Sequence, residues 1–169
     1  AANSFTLGAA AQNVTGSSGN DTVNIGSLTA TGTLNAAGGT DTLEMSSGAN
    51  ISGASVSSFE NLTLASGASV TVGAFQLAQF SGTITAAGSE TVTVNGDGDF
   101  TTLANVETFI VNDDATNART VTVASANTDV TATSVTDAVT FNLGSLTYTG
   151  TLTGEGTTND TLSLGNGAS

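Results

Sequence analysis

The sequence predicts an all-β chain wound as a right-handed parallel β-helix, a β-solenoid of roughly eight coils. Three observations carry that expectation: short alternating apolar phrases, their return about every twenty residues, and turn-forming residues at each phrase head. Each phrase opens on an acidic or polar residue, often followed by Thr. The first is Asp21-Thr22-Val23-Asn24-Ile25, then Asp41-Thr42-Leu43-Glu44-Met45 and Glu60-Asn61-Leu62-Thr63-Leu64. Glu90-Thr91-Val92-Thr93-Val94 and Glu107-Thr108-Phe109-Ile110-Val111 follow, and Asp137-Ala138-Val139-Thr140-Phe141 and Asp160-Thr161-Leu162-Ser163-Leu164 close the series. Period-two alternation places every second side chain on one face, so each phrase reads as a strand with one buried side. Val, Ile and Thr suit a pleated, half-buried surface, and Gly, Asn and Asp suit the turns between. No stripe at i, i+3, i+4, i+7 is sustained, so little helix is expected.

The heads at 21, 41 and 60 lie about one coil apart, as do 90 and 107, and 137 and 160. The intervals from 60 to 90 and from 107 to 137 are too long for one coil. Gly82-Thr83-Ile84-Thr85 fills the first and Arg119-Thr120-Val121-Thr122-Val123 the second. A single coil cannot bury its apolar face, but equal coils stacked on one another make a continuous core. At about 4.8 Å per strand, eight coils form a rod about 40 Å long. Parallel strands joined by crossovers favour the right-handed path. A β-sandwich is the alternative that many short strands allow. Low complexity also allows disorder, against which the in-phase recurrence of Val, Leu, Ile and Phe argues. Each end of such a rod is an open row of strand N–H and C=O groups that calls for a neighbour.

A longer repeat overlies the short one. Phe5-Thr6-Leu7 resembles Val121-Thr122-Val123, and residues 26–34 are nearly restated at 144–152. Residues 4–50 thus return as 120–169, about 117 positions on. Residues 1–169 are read as one solenoid segment, a fragment of a longer tandem array.

Apolar residues make up 38%, much of it Ala, so the core is expected to be long and thin. The formal charge of −13, with Arg119 as the single basic residue, repels nucleic acid and anionic membranes and attracts cations. Neither a nucleic-acid partner nor membrane insertion is expected, and no apolar run is long enough for a membrane helix. The absence of Cys excludes disulfides and Cys-ligated zinc. The opening Ala1-Ala2-Asn3-Ser4 carries no basic region of a signal peptide. An expected extracellular site therefore calls for trimming, or for an export signal outside this segment.

Turns before three strands have the outline of a calcium nonapeptide, Gly-Gly-x-Gly-x-Asp-apolar. Gly19, Asn20 and Asp21 supply one, Gly39 and Asp41 the next, and Asn159 and Asp160 a third. Gly opens a turn so that carbonyls can face an ion, Asp adds a charged oxygen, and Ca²⁺ takes six to eight such oxygens. The second Gly is missing in each copy, and the same residues also make tight Asx turns. Asn95-Gly96-Asp97-Gly98-Asp99-Phe100 begins like an EF-hand loop, with Asp97 and Asp99 as further metal candidates. Phe100 stands where that loop needs Gly, and Val106 where it needs Glu. Asp113-Asp114 reads as a solvated turn. Sequon matches at Asn13, Asn20, Asn61 and Asn159 are what so Asn- and Thr-rich a chain produces by chance. Thr-x-Thr recurs at 29–31, 83–85, 91–93, 120–122, 131–133, 147–149 and 151–153. Ranked on one flat face, such threonines would order water as ice-binding solenoids do.

Catalysis is not expected. His, Lys and Cys are absent, Arg119 is the only candidate base of a polysaccharide lyase, and a sugar cleft has Tyr148 but no Trp to draw on. Asp97, Asp99, Asp113 and Asp114 are the only carboxylates close enough in sequence to pair for glycoside hydrolysis.

The segment from Ile51-Ser52-Gly53-Ala54-Ser55-Val56 through Phe59-Glu60-Asn61-Leu62-Thr63-Leu64 resembles repeats of giant Thr/Ala/Gly-rich bacterial exoproteins. Leu103-Ala104-Asn105-Val106-Glu107-Thr108-Phe109 echoes it. With the degenerate nonapeptides, the chain resembles S-layer and RTX-type adhesin proteins exported by type I secretion. The resemblance implies export without a cleaved N-terminal signal, Ca²⁺-dependent folding outside the cell, and assembly into a lattice or stalk. The expected function is a non-catalytic structural module of a surface layer, filament or matrix, with itself or neighbouring repeats as partner. The alternative is an adhesin module that binds cell-surface polysaccharide through the loops near 95–100 and 112–117.

Overall fold

The computed structural model describes residues 1–96, 98–112, 118–133, 137–154, 159–167 and 169. Its elements run β1 (Ser4–Thr6), β2 (Val14–Thr15), β3 (Thr22–Asn24), β4 (Thr33–Asn35), β5 (Thr42–Met45), β6 (Ser55–Ser57), β7 (Asn61–Leu64) and β8 (Ser69–Gly73). After the helical turn α1 (Ala74–Leu77) come β9 (Ile84–Thr85), β10 (Thr91–Asn95), β11 (Phe100–Thr101), β12 (Thr108–Asn112) and β13 (Arg119–Thr122). The last are β14 (Asp129–Thr133), β15 (Val139–Gly144), β16 (Leu152–Thr153) and β17 (Thr161–Leu164).

The strands pair in parallel and stack as a β-solenoid of about seven turns, close to the roughly eight expected. The first sheet is β1-β3-β5-β7-β9 and the second β8-β10-β12-β14-β16. A third face carries two shorter sheets, β2-β4-β6 and β11-β13-β15-β17. Between them sits α1, packed against β8 and β11. Alternation has the predicted effect: in β5, β7 and β10 every second residue is buried. Inward residues stack in register, Val23 on Leu43 on Leu62 on Ile84 in the first sheet. Val70, Val92, Phe109 and Val130 stack likewise in the second. Full burial of each such aliphatic contributes about 1.5–3 kcal/mol, and the column is continuous because every coil supplies the floor for the next.

The phrases do not share one face. Those headed by Asp21, Asp41 and Glu60 form the first sheet, those headed by Glu90 and Glu107 the second, and those headed by Asp137 and Asp160 the third. The two long intervals explain the shift. Leu62 pairs with Ile84 in the following coil, and Val92 comes a short way past Ile84, one face further round. Phe109 pairs with Val130 in the following coil, and Val139 again comes one face further round. Each long interval is one coil plus one face. The segments that fill them do form strands, β9 and β13.

The longer repeat builds alike in both copies. β1-β3-β5 pair Phe5 with Val23 and Val23 with Leu43; β13-β15-β17 pair Val121 with Phe141 and Phe141 with Leu162. The second copy lies on a different face.

Candidate functional site

The acidic phrase heads are the sequence's candidates for chemistry, and the first three, Asp21, Asp41 and Glu60, form a vertical ladder. The N–H of Asn3 donates to Asp21 Oδ1 at 2.6 Å, that of Asp21 to Asp41 Oδ1 at 2.6 Å, and that of Asp41 to Glu60 Oε2 at 2.9 Å. Each carboxylate reaches back one coil to an N–H at the strand entrance. Asp21 and Asp41 are 1% and 0% exposed. Asp21 also closes its own turn, with Oδ2 accepting the Ser17 N–H at 2.5 Å. That bond, against the opposing effect of burial and with help from Asn3, holds the Asp21 carboxyl below its ordinary pKa.

The other candidates act the same way or serve packing. Asp160 Oδ1 accepts the N–H of Val139 at 2.9 Å, and Asp99 Oδ1 that of Thr120 at 2.6 Å. Asn20 Oδ1 accepts the N–H of Thr40 at 3.0 Å, while Asn159 lies exposed. Gly19 and Gly39 allow close approach of coils: a Cβ on Gly39 would lie 2.7 Å from the Gly19 carbonyl oxygen, and one on Gly19 as close to the Ala1 carbonyl. Asp97 and the Asp113-Asp114 pair lie outside the described residues.

The described donors do not converge on a common point as a hard divalent ion requires. The carboxylates of Asp21, Asp41, Glu60, Glu90 and Asp160 point at backbone N–H groups, and among the described residues no three of His, Cys, Asp and Glu gather to hold a metal. Asp41 Oδ2 is buried without a hydrogen-bond partner, but one oxygen falls far short of six.

Sequence reasoning missed Glu90 as more than a phrase head. Its side chain is fully buried and accepts the N–H groups of Gly67 at 3.1 Å, Gly88 at 2.9 Å and Ser89 at 3.1 Å. Burial pushes its pKa up, but these bonds and one from Ala87 outweigh that and hold it below the ordinary Glu value. Asn13, Asn61 and Asp129 bridge coils too, each accepting a Thr N–H at 2.7 Å. An Asx residue placed one coil from a strand entrance was the available signal.

Arg119, 3% exposed, donates from Nη2 to the Gly96 carbonyl at 2.8 Å. Tyr148 donates its hydroxyl to the Thr128 carbonyl, and burial, with the nearby Asp129 charge, pushes its pKa up to about 12. The Thr-x-Thr pairs scatter over the faces. One column on the second face does align Thr29, Asn50, Thr71, Thr93, Ile110, Thr131 and Thr153, with Asn50 and Ile110 breaking the run of hydroxyls.

The remaining surface feature is Phe75 on α1, 77% exposed. Shallow grooves flank it, one bordered by Ser52, Asn95 and Gly96, the other by Asp99 and Thr101. Alternation gave no hint of this, because Gly73-Ala74-Phe75-Gln76-Leu77 leaves the strand pattern. Compared with known proteins, the chain matches no family model, no curated protein and no solved structure.

Proposed function

We propose that the chain is a non-catalytic structural module, a stiff solenoid wall or spacer in a bacterial surface layer, filament or extracellular matrix. One observation carries this reading: among the described residues, most of the carboxylates with a resolved bond are engaged in holding coil to coil. The carboxylates of Asp21, Asp41, Glu60, Asp99, Asp129 and Asp160 each accept an N–H from an adjacent coil. Arg119, the one base a lyase could use, is buried against Gly96. Hydroxyl, amide and carboxylate groups cover the outside, which suits a permanently hydrated wall.

End-to-end stacking is part of the proposal. Leu162 and Leu164 on β17 are 54% and 55% exposed, whereas their counterparts Leu43 and Met45 on β5 are covered by β7. A further coil placed on β17, from a neighbouring repeat or from a second copy, would cover them in the same way. Sedimentation velocity tests this: the average mass of the wild type should rise with concentration, while Leu162→Glu/Leu164→Glu stays folded and monomeric. A wild type that remains a monomer from micromolar to millimolar concentration removes self-assembly from the account.

A second reading, an adhesin module that binds polysaccharide, is favoured by the outward-facing Phe75 beside the loop that begins at Asn95.

A further inference from the structure

We propose that Phe75 and the grooves on either side of it bind a neutral polysaccharide, an inference that rests on the adhesin reading and gives it a site. A solenoid of this composition spends its aromatics on the core: Phe59, Phe80, Phe100, Phe109 and Phe141 are all 6% exposed or less. Phe75 points the other way, and its position is fixed. Ala74 and Leu77, on either side of it in α1, are each 3% exposed and anchor the turn in the core. Gln76 locks the same turn, with Oε1 accepting the Gly73 N–H at 2.7 Å and Nε2 donating to the carbonyls of Ile51 at 2.7 Å and Ala54 at 2.8 Å. The Phe75 ring rests against Gly98, where an added Cβ would lie 3.2 Å from Cζ. The outcome is a rigid aromatic ridge that the described residues leave uncovered.

The ridge divides two grooves of about 220 and 200 Å³, and the first opens toward a recess of about 290 Å³ that reaches Asn112. Their polar groups suit sugar hydroxyls. Asp99 uses Oδ1 on the Thr120 N–H, so its second oxygen can accept. Asn95 Oδ1 accepts from Asn112 Nδ2 at 3.1 Å, so the Asn95 amide N–H₂ can donate. Ser52 and Thr101 add hydroxyls. A flat apolar ring face flanked by planar amide and carboxylate groups is what a pyranose needs, with C–H groups on one face and hydroxyls at the rim. Shallow grooves on both sides of a ridge suit a polymer better than a small enclosed ligand. A net charge of −13 selects against anionic chains.

Affinity electrophoresis in native gels containing dextran, laminarin or xyloglucan tests the site, with alginate as the anionic control. The wild type should be retarded by at least one neutral polymer and not by alginate. Phe75→Ala should weaken retardation at least tenfold with an unchanged melting curve, Phe75→Tyr should retain it, and Asp99→Asn should weaken it while keeping the Oδ1 bond to Thr120. Should Phe75→Ala melt lower, Asp99→Asn and Phe75→Tyr decide the matter. A wild type unretarded in every neutral gel overturns both the site and the adhesin reading. Retardation that is equal in the wild type, Phe75→Ala and Asp99→Asn overturns the site alone.

Discussion

The coils from Asn3 to Leu64 and those from Glu90 to Leu164 are built from the same phrases but use them differently. In the first region the heads lie in one column, and each carboxylate reaches back to the coil before it. In the second, Glu90 gathers N–H groups from two turns, Gly67 in the coil before it and Gly88 and Ser89 in its own, and among the described residues a head carboxylate next reaches back to a strand entrance where Asp160 meets Val139. Coil length separates the two. The steps from Val23 to Leu43 and from Leu43 to Leu62 are nearly equal, so the heads stay aligned. The steps that link Val70, Val92, Phe109 and Val130 are uneven, yet Val92 and Phe109 keep one face; the phrase moves round the rod where an interval runs one coil plus one face, from Leu62 past Ile84 to Val92 and from Phe109 past Val130 to Val139. A phrase thus specifies a strand with a fastened entrance, while the turn lengths choose its face.

The largest expected effect tests whether the two regions share one core. Leu62 joins them, since it pairs with Leu43 on one side and Ile84 on the other. Leu62→Asp places an unpaired charge in that column and should cost more than about 4 kcal/mol, enough to unfold the whole chain. Leu152→Asp, in the last coil and only partly buried, should leave most of the solenoid folded. Circular dichroism melts separate the cases. Loss of only one region's signal in Leu62→Asp would mean that the regions fold independently.

Next in size is the contrast between the two uses of a carboxylate. Glu90→Ala removes a buried carboxylate that accepts the N–H groups of Gly67, Gly88 and Ser89, residues on the exposed turns around it, and should cost about 2–3 kcal/mol. Asp160→Ala, at an exposed site whose one bond among the described residues is to Val139, should cost about 1 kcal/mol or less. Urea midpoints at a constant m value measure both. Equal losses would erase the distinction between a gathered turn and a simple bridge.

The fold was legible because its cause is local. Val23, Leu43 and Leu62 announce one buried face by alternation, and their spacing announces the stack. The face each phrase occupies was not legible, because it depends on turn lengths whose geometry the residues do not name. The roles of Asp21 and Asp41 were half legible. Their positions in tight turns were evident, but a carboxylate beside Gly and Asn reads alike whether it faces an ion or the N–H of the preceding coil. Phe75 was missed because its exposure depends on α1, a turn that Gln76 ties to the carbonyls of Ile51 and Ala54 in the preceding coil.

Acid should act on both regions. The carboxyls of Asp21 and Glu90 are held below their ordinary pKa values, so the folded chain binds fewer protons than the unfolded chain near those values. Their contribution is complete above about pH 5 and is lost as pH falls through the lowered values, below about pH 4. Protonation of the other acids works against this by relieving the repulsion of a −13 chain. The wild-type melting temperature should therefore fall between pH 5 and pH 3, and fall less steeply in Glu90→Gln. An identical slope in the variant would remove Glu90 from the acid response.

The smallest effect tests the ladder at its middle rung. Asp41 gives Oδ1 to the Asp21 N–H, while Oδ2 is buried without a partner and Glu60 lies one coil away. Asp41→Asn keeps the acceptor and removes a buried charge from a column of acids, so stability should change by less than about 1 kcal/mol, toward a gain. Asp41→Ala removes the acceptor as well and should cost about 1–2 kcal/mol. The difference between the two variants isolates the bond from the charge. If Asn destabilises as much as Ala, the charge itself is stabilising, and the second oxygen must serve a cation that the hydrogen-bond geometry alone does not call for.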